Sequence, residues 1–225
     1  MKTTPVLEIA RRTLELEAQA LSELSHSIDS SFEKVIDVLN DMKGRLVISG
    51  IGKSAIVGQK IVATLNSTGT PSIFMHAADA IHGDLGMIQH DDVVMIISKS
   101  GESPEIKMLI TLINNLGNTL IGMVGNLHSV LATSSHYILN TTVSQEACPN
   151  NLAPTASTTA QMAMGDALAV SLMELKGFTA DDFAKFHPGG TLGKKLYLRV
   201  QDLSQFNEKP AVEPDSNIKE VIVEM

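Results

Sequence analysis

Cysteine is almost missing from this chain: Cys148 is the only one in 225 residues. A single thiol excludes an internal disulfide and fits a reducing compartment. Basic residues are in deficit, 17 against 25 acidic ones, for a formal net charge of −8. Nucleic-acid and anionic-membrane partners need a basic face, so neither is expected. No apolar run approaches the ~20 residues of a membrane span. Met1 to Thr13 also lacks the apolar core of a secretory signal. These absences predict a soluble, cytoplasmic protein. Aromatic residues supply only 4%, yet hydrophobic residues reach 44%, enough for a real core. The length fits one large α/β domain, alone or with a short appendage. No internal repeat or low-complexity segment stands out.

What is present is a regular rhythm. From Pro5 to about Leu24, Leu7, Ala10, Leu14, Leu21 and Leu24 recur at helical spacing. A second helical pattern runs from Ser30 to Met42 through Phe32, Val35, Ile36 and Leu39, closed by Gly44. Short apolar runs follow at Arg45–Ser49, Ser72–Met75, Val93–Ser98, Thr119–Val124 and Tyr137–Leu139. Helical patterns at Ser54–Ser67 and Pro104–Leu116 separate some of them. Strands alternating with helices predict right-handed βαβ units. The fold class is therefore α/β, a five-stranded parallel sheet flanked by helices, with an N-terminal helical pair. Thr155–Lys176 reads as a long Ala- and Met-rich helix ending at Gly177, apolar enough to be buried on most faces.

In an open parallel sheet, ligands bind outside the carboxyl ends of the strands. The turn Ser98-Lys99-Ser100-Gly101-Glu102-Ser103-Pro104-Glu105 follows the third strand and opens a helix. Free N–H groups and the positive dipole end of that helix suit an anion, phosphate above all. Pro104 fits a first helical position, where its missing N–H costs nothing. After the first strand comes Gly50-Ile51-Gly52-Lys53-Ser54; after the second, His76 and then His82-Gly83-Asp84. After the fifth come Glu146-Ala147-Cys148-Pro149 and Pro154-Thr155-Ala156-Ser157-Thr158-Thr159. One cleft can collect them all. The first loop imitates a P-loop and a dinucleotide fingerprint. The P-loop fails because its first glycine falls at Val47. The fingerprint lacks an acidic residue at the end of the second strand, where His76 stands.

The short motifs in series carry a resemblance. Gly50-Ile51-Gly52-Lys53-Ser54, Ser67-Thr68-Gly69-Thr70-Pro71, His82-Gly83-Asp84-Leu85-Gly86, Ser100-Gly101-Glu102-Ser103, Glu146-Ala147-Cys148-Pro149, Ala153-Pro154-Thr155, Met164-Gly165-Asp166-Ala167 and His187-Pro188-Gly189-Gly190 resemble the arabinose-5-phosphate isomerase family of the sugar isomerase (SIS) superfamily. The likeness runs from about residue 5 to about 202. It implies a SIS-type, flavodoxin- or Rossmann-like three-layer sandwich. It also implies interconversion of D-ribulose 5-phosphate and D-arabinose 5-phosphate through an enediolate, the entry to 3-deoxy-D-manno-octulosonate (Kdo) for lipopolysaccharide or capsule.

Such an isomerase moves one proton between carbons and another between oxygens, and must stabilise negative charge and grip a phosphate. The family's four catalysis-linked positions match Lys53, Glu105, Glu146 and His187. Glu146 and His187 are the natural proton carriers, Lys53 offsets enediolate charge, and Glu105 orients Lys53 or shares proton transfer. A glutamate near its ordinary pKa of about 4.3 is a weak base, so partial burial would have to raise Glu146 toward about 6–7 for that role. Ser98, Ser100, Gly101, Ser103, Thr155, Ser157 and Thr158 are the expected phosphate and sugar contacts, with Gly52 and Ser54 beside Lys53. The resemblance adds Gly69, Thr70 and His82 to the substrate set. Relatives commonly carry Asn where this chain has Lys99, whose ammonium either tightens phosphate binding or, the reading favoured, sits in solvent.

No cofactor is required by this chemistry. The resemblance implies an inhibitory transition metal, zinc, at His76, although metal sites ordinarily need three or four ligands. Cys148 reads as packing rather than nucleophile, Glu102 equally as helix-dipole complement or substrate contact, and Asp84 and Asp166 as caps or ties. In this superfamily a histidine placed like His187 often reaches a neighbour's active site. Surplus apolar face on the N-terminal pair and the long helix also predicts a homodimer or tetramer. Residues 1–44 are the expected helical pair, 45–202 the isomerase domain, and 203–225 a tail resembling the start of a CBS module. A full CBS pair is not expected, so feedback by a downstream nucleotide sugar such as CMP-Kdo would act at the cleft itself. The alternatives are a non-catalytic sugar-phosphate sensor, or a SIS isomerase of another sugar phosphate.

Overall fold

Alternation of apolar runs and amphipathic segments folds as the pattern dictates. The computed structural model describes residues 5–189 and 211–224. Their order is α1 (Val6–His26), α2 (Ser30–Asp41), β1 (Leu46–Gly50), α3 (Lys53–Ser67), β2 (Ser72–His76), α4 (Ala77–Ala80), β3 (Val93–Ser98), α5 (Pro104–Leu116), β4 (Leu120–Val124), α6 (Val130–Ser134), β5 (Tyr137–Asn140), α7 (Ala156–Leu175), α8 (Ala180–Phe186) and α9 (Ile218–Glu224). All five strands pair in parallel, in the order β2-β1-β3-β4-β5. Residues of β1, β3 and β4 are buried throughout, as a sheet covered on both faces requires.

The strand period of two divides the core into two layers. Leu46, Ile48, Met95, Ile97, Ile121 and Met123 face one way, against Val35, Ile36 and Leu39 of α2, Ile61 and Leu65 of α3, and Met164 and Leu168 of α7. Val47, Val94, Ile96, Leu120 and Val124 face the other way, against Ile106, Leu109, Ile110 and Ile113 of α5 and Leu131 of α6. The N-terminal pair is therefore part of the first layer, since Leu24 and Leu39 belong to its core.

Helix α7 differs from the sequence expectation. Its buried residues, among them Ser157, Gln161, Met164, Leu168 and Leu172, form one stripe, while Val170 and Leu175 are exposed. The helix is apolar all round but covered on one side. Gly165 lets α3 and α7 approach, because a Cβ there would lie 2.4 Å from Ile61. Lys60 and Asp166 tie the same pair as an ion pair, and Thr159 Oγ1 donates to Glu17 of α1 at 3.2 Å.

Contacts divide the chain into two compact units, 1–178 and 179–225. In the second unit α8 opens on a capping box in which Thr179 and Asp182 satisfy each other's N–H groups. The described part of the CBS-like tail holds α9 but no strand at 211–217.

Candidate active site

Parallel register brings Gly50, His76 and Ile97 level at the carboxyl edge of the sheet. There a pocket of about 330 Å³ is walled by three segments. Ile51, Lys53 and Ser54 come from the β1–α3 junction, Ser98, Lys99, Ser100 and Ser103 from the β3–α5 turn, and Pro154, Ser157, Thr158 and Gln161 from the start of α7. Three helix N-termini thus converge, and two lysines accompany them. A larger depression between α2 and α7 presents Glu33, Asp37 and Glu174 and no cation, so it repels an anion.

The serine turn is shaped by its own hydrogen bonds. Ser98 Oγ accepts from the Gly101 N–H at 3.0 Å, and Ser100 Oγ from the Glu102 N–H at 3.3 Å. Gly101 has φ +66°, and a Cβ there would lie 2.2 Å from Ser129 Oγ. Only glycine meets both demands. Ser103 precedes Pro104 at the opening of α5 without capping the helix, and its Oγ is buried with no partner in the described residues. A buried hydroxyl left unpaired is costly, and the residue also lines the pocket. Glu102 is occupied otherwise: it accepts from the Val130 N–H at 2.7 Å and pairs with Lys107 at 2.7 Å.

Glu146 is the buried charge of the site, 2% exposed. It accepts from the Thr155 and Ser157 N–H groups at 2.8 and 3.1 Å, and from their hydroxyls at 3.2 and 2.5 Å. Lys99 Nζ completes the set at 2.5 Å. Burial pushes the carboxyl up, but Lys99, Ser157 and Thr155 together outweigh it and hold the pKa at about 2. The rise toward neutrality that a carbon base would need is not met in this state: the donors of the α7 N-terminus and one ammonium win over desolvation. The reading of Lys99 changes too: its side chain keeps 45% of its surface in solvent, but its ammonium is paired with Glu146. Asn151 and Cys148 shape the supporting loop. Asn151 Oδ1 accepts from the Glu146 N–H, and Cys148 Sγ from the Leu152 and Ala153 N–H groups at 3.1 Å, which lower the thiol pKa.

Of the remaining sequence candidates, Lys53 begins α3 immediately after Gly52, in the pocket wall. Ser54 Oγ donates to Gln161 Oε1 at 3.2 Å. Gln161 was missed; it is a fully buried amide one turn after Ser157, a polar interruption in an otherwise apolar stripe. Thr155 acts on Glu146 and on the Ala147 N–H rather than lining the pocket. Thr158 lines it and donates to the Thr155 carbonyl. Glu105 is half-buried in the first turn of α5, outside the pocket wall.

Gly69 and Thr70 are not brought to this pocket. They precede β2, at the amino edge of the sheet, where Thr70 accepts from Lys176 at 3.0 Å. His82 is exposed in the connection that follows α4. His76 Nδ1 caps α4 by accepting from the Ala78 N–H at 3.3 Å and lies 3.9 Å from Asp79. Among the described residues no group of three candidate metal ligands gathers, and Asp79 is the acidic residue beside His76. His187 belongs to the second unit, its ring stacked on Phe183 at 3.8 Å with Nδ1 2.9 Å from the Phe183 carbonyl.

Residues 39–171 match the SIS domain family. The arabinose 5-phosphate isomerase KdsD of Pseudomonas aeruginosa is 53% identical over 88% of this chain and 61% of its own length. The arabinose 5-phosphate isomerase KpsF of Escherichia coli O6:H1 is 47% identical over 94% of this chain and 65% of its own length. The chain therefore spans somewhat under two thirds of these relatives. A solved structure from E. coli CFT073, in complex with A5P, superposes with a TM-score of 0.80 at 41% identity, covering 84% of this chain and 100% of that one.

Proposed function

Because this chain belongs to the SIS domain family, we propose that it is an aldose–ketose isomerase interconverting D-ribulose 5-phosphate and D-arabinose 5-phosphate. The observation that carries the reading is the strand-edge pocket, where Lys53, Lys99 and Ser103 stand at three helix N-termini and the buried Glu146 lies behind the wall, bonded to Lys99 and Ser157. The named activity of the KdsD and KpsF relatives supports it.

The geometry supports the following division of labour. A phosphate fits the serine turn, where Ser98, Ser100 and Ser103 line the pocket and Glu102 is turned to Val130 and Lys107. Lys53, at a helix start, offers charge to a developing enediolate oxygen. Glu146 is the candidate carbon base, and the Thr155 and Ser157 donors fix its direction. Glu105 and His187 complete the proposed set, His187 being supplied by a neighbouring subunit. The same reading places the protein in the cytoplasm at the entry to Kdo synthesis, as a homodimer or tetramer. CMP-Kdo would compete at the pocket. Zinc inhibition through His76 is a separate proposal, in which a second chain supplies further ligands; it predicts that His76→Ala removes zinc sensitivity. No helix among the described residues is long and apolar enough to cross a membrane.

A coupled assay with ribulose 5-phosphate against a panel of pentose and hexose phosphates tests the reaction. Turnover of ribulose 5-phosphate above the others is expected. Tight binding of sugar phosphate without turnover would assign the chain to sensing instead. Glu146→Gln and His187→Ala should each lose turnover while still binding substrate. Full activity in either removes that residue from the mechanism.

A further inference from the structure

Lys99 holds two positions of interest at once. Its ammonium lies 2.5 Å from Glu146, and the residue also walls the pocket between Ser98 and Ser100. The two halves of the ion pair are unequal. The Glu146 side chain is wholly buried, whereas that of Lys99 keeps 45% of its accessible surface. Glu146 has four further hydrogen bonds from Thr155 and Ser157, so it stays in place whether or not Lys99 does. The ammonium has Glu146 as its polar partner and no second anchor among the described residues. Its root is fixed, because the Lys99 carbonyl accepts from the Gly125 N–H at 3.1 Å. A long flexible stem on a pinned backbone can swing without disturbing the turn.

A phosphate dianion seated among Ser98, Ser100 and Ser103 would meet hydroxyls that carry no charge. Lys99 is the cation of that same turn. We propose that Lys99 is a positioning residue that responds to substrate: in the free protein its ammonium neutralises Glu146, and on sugar-phosphate binding it transfers to the phosphate, leaving Glu146 an uncompensated buried carboxylate. The proposal rests on the sugar-phosphate reading of the pocket. It gives substrate a way to make the Glu146 carboxylate more basic than it is in the free protein.

Among the described residues no other cation pairs with Glu146. The first turn of α7 carries no charged residue, Cys148 lies in the same loop and is not cationic, and Lys53 walls the pocket from α3. Burial, the largest influence on Glu146, then acts with less opposition and moves its affinity for protons upward.

Sulfate is the probe, because it remains a dianion at pH 5 and any proton taken up belongs to the protein. Calorimetric titration in buffers of different ionisation enthalpy should show wild-type protein taking up a fraction of a proton with sulfate. Lys99→Met should take up none and bind sulfate about tenfold more weakly, the weight of one charge-assisted hydrogen bond. Glu146→Gln removes the competitor for the ammonium, so it should tighten sulfate binding about threefold or more, a gain lost in the Lys99→Met/Glu146→Gln double variant. Equal sulfate affinity in wild type and Lys99→Met overturns the proposal, as does a Glu146→Gln gain that survives in the double variant. Lys99 is half-exposed, so the wild-type comparison with Lys99→Met decides the matter even where Glu146→Gln fails to fold. Ribulose 5-phosphate turnover separates the two readings: an isomerase with no sulfate coupling refutes only the transfer, and coupling without turnover refutes only the isomerase.

Discussion

At the scale of single residues, Glu146 links stability to acidity. Its folded pKa of about 2 lies below the ordinary 4.5, so the unfolded chain binds that proton more readily than the fold does. The stabilisation is present above about pH 4.5 and is lost as the pH falls toward about 2. Glu146→Gln should cost on the order of 2 kcal/mol at pH 7 and flatten the loss of stability across that acid window, as followed by urea unfolding at stepped pH. Ser103 separates binding from folding. Its buried hydroxyl has no partner in the described residues, so the fold gains nothing from it. Ser103→Ala should leave the fold as stable as wild type or more so, by up to about 1 kcal/mol, yet raise KM for sugar phosphate about five- to tenfold. A parallel loss of both would place the hydroxyl in the scaffold instead.

At the scale of elements, the site depends on how closely α3 and α7 pack. Lys53 and Ser54 ride on one helix, Ser157 and Gln161 on the other, and Gly165 sets their separation at Ile61. Gly165→Val should lower the melting temperature by several degrees, equivalent to about 3 kcal/mol of overpacking, and weaken turnover by parting the two walls. Gly101→Ala should act more locally, opening the serine turn against Ser129 and reducing phosphate affinity. Most of this framework was legible in the chain. Buried strands at 93–98 and 120–124 are continuous apolar runs, and α5 is bracketed by Pro104 and Gly117, so both kinds of element declare their ends. Helices α4 and α6 were not foreseen, because four and five residues are too few to show a period. The polar loops signalled the pocket edge, but spacing carries no partner information. Nothing in the order of residues says that Lys99 reaches Glu146, 47 positions away, or that Gly69 and Thr70 sit at the far edge of the sheet.

At the scale of the whole molecule, the charge of −8 repels the substrate that the pocket is proposed to hold, so capture depends on Lys53, Lys99 and helix ends acting at short range. Assembly is the other molecular question. Helix α1 leaves Val6, Leu7 and Leu14 at 79%, 70% and 68% exposure, apolar area that a second copy would cover. Light scattering on wild type and on Leu7→Glu/Leu14→Glu should show an oligomer that the double variant weakens. Activity must fall with assembly if His187 works in a neighbour's pocket, and mixing makes that decisive. His187→Ala and Glu146→Gln are each expected to be inactive alone. Random reassortment into dimers pairs an intact Glu146 from one variant with an intact His187 from the other in about a quarter of all sites. Recovery toward that fraction, appearing only after the oligomers are dissociated and allowed to re-form, places His187 across the subunit interface. No recovery on mixing, with both variants shown to exchange subunits, places it in the pocket of its own chain.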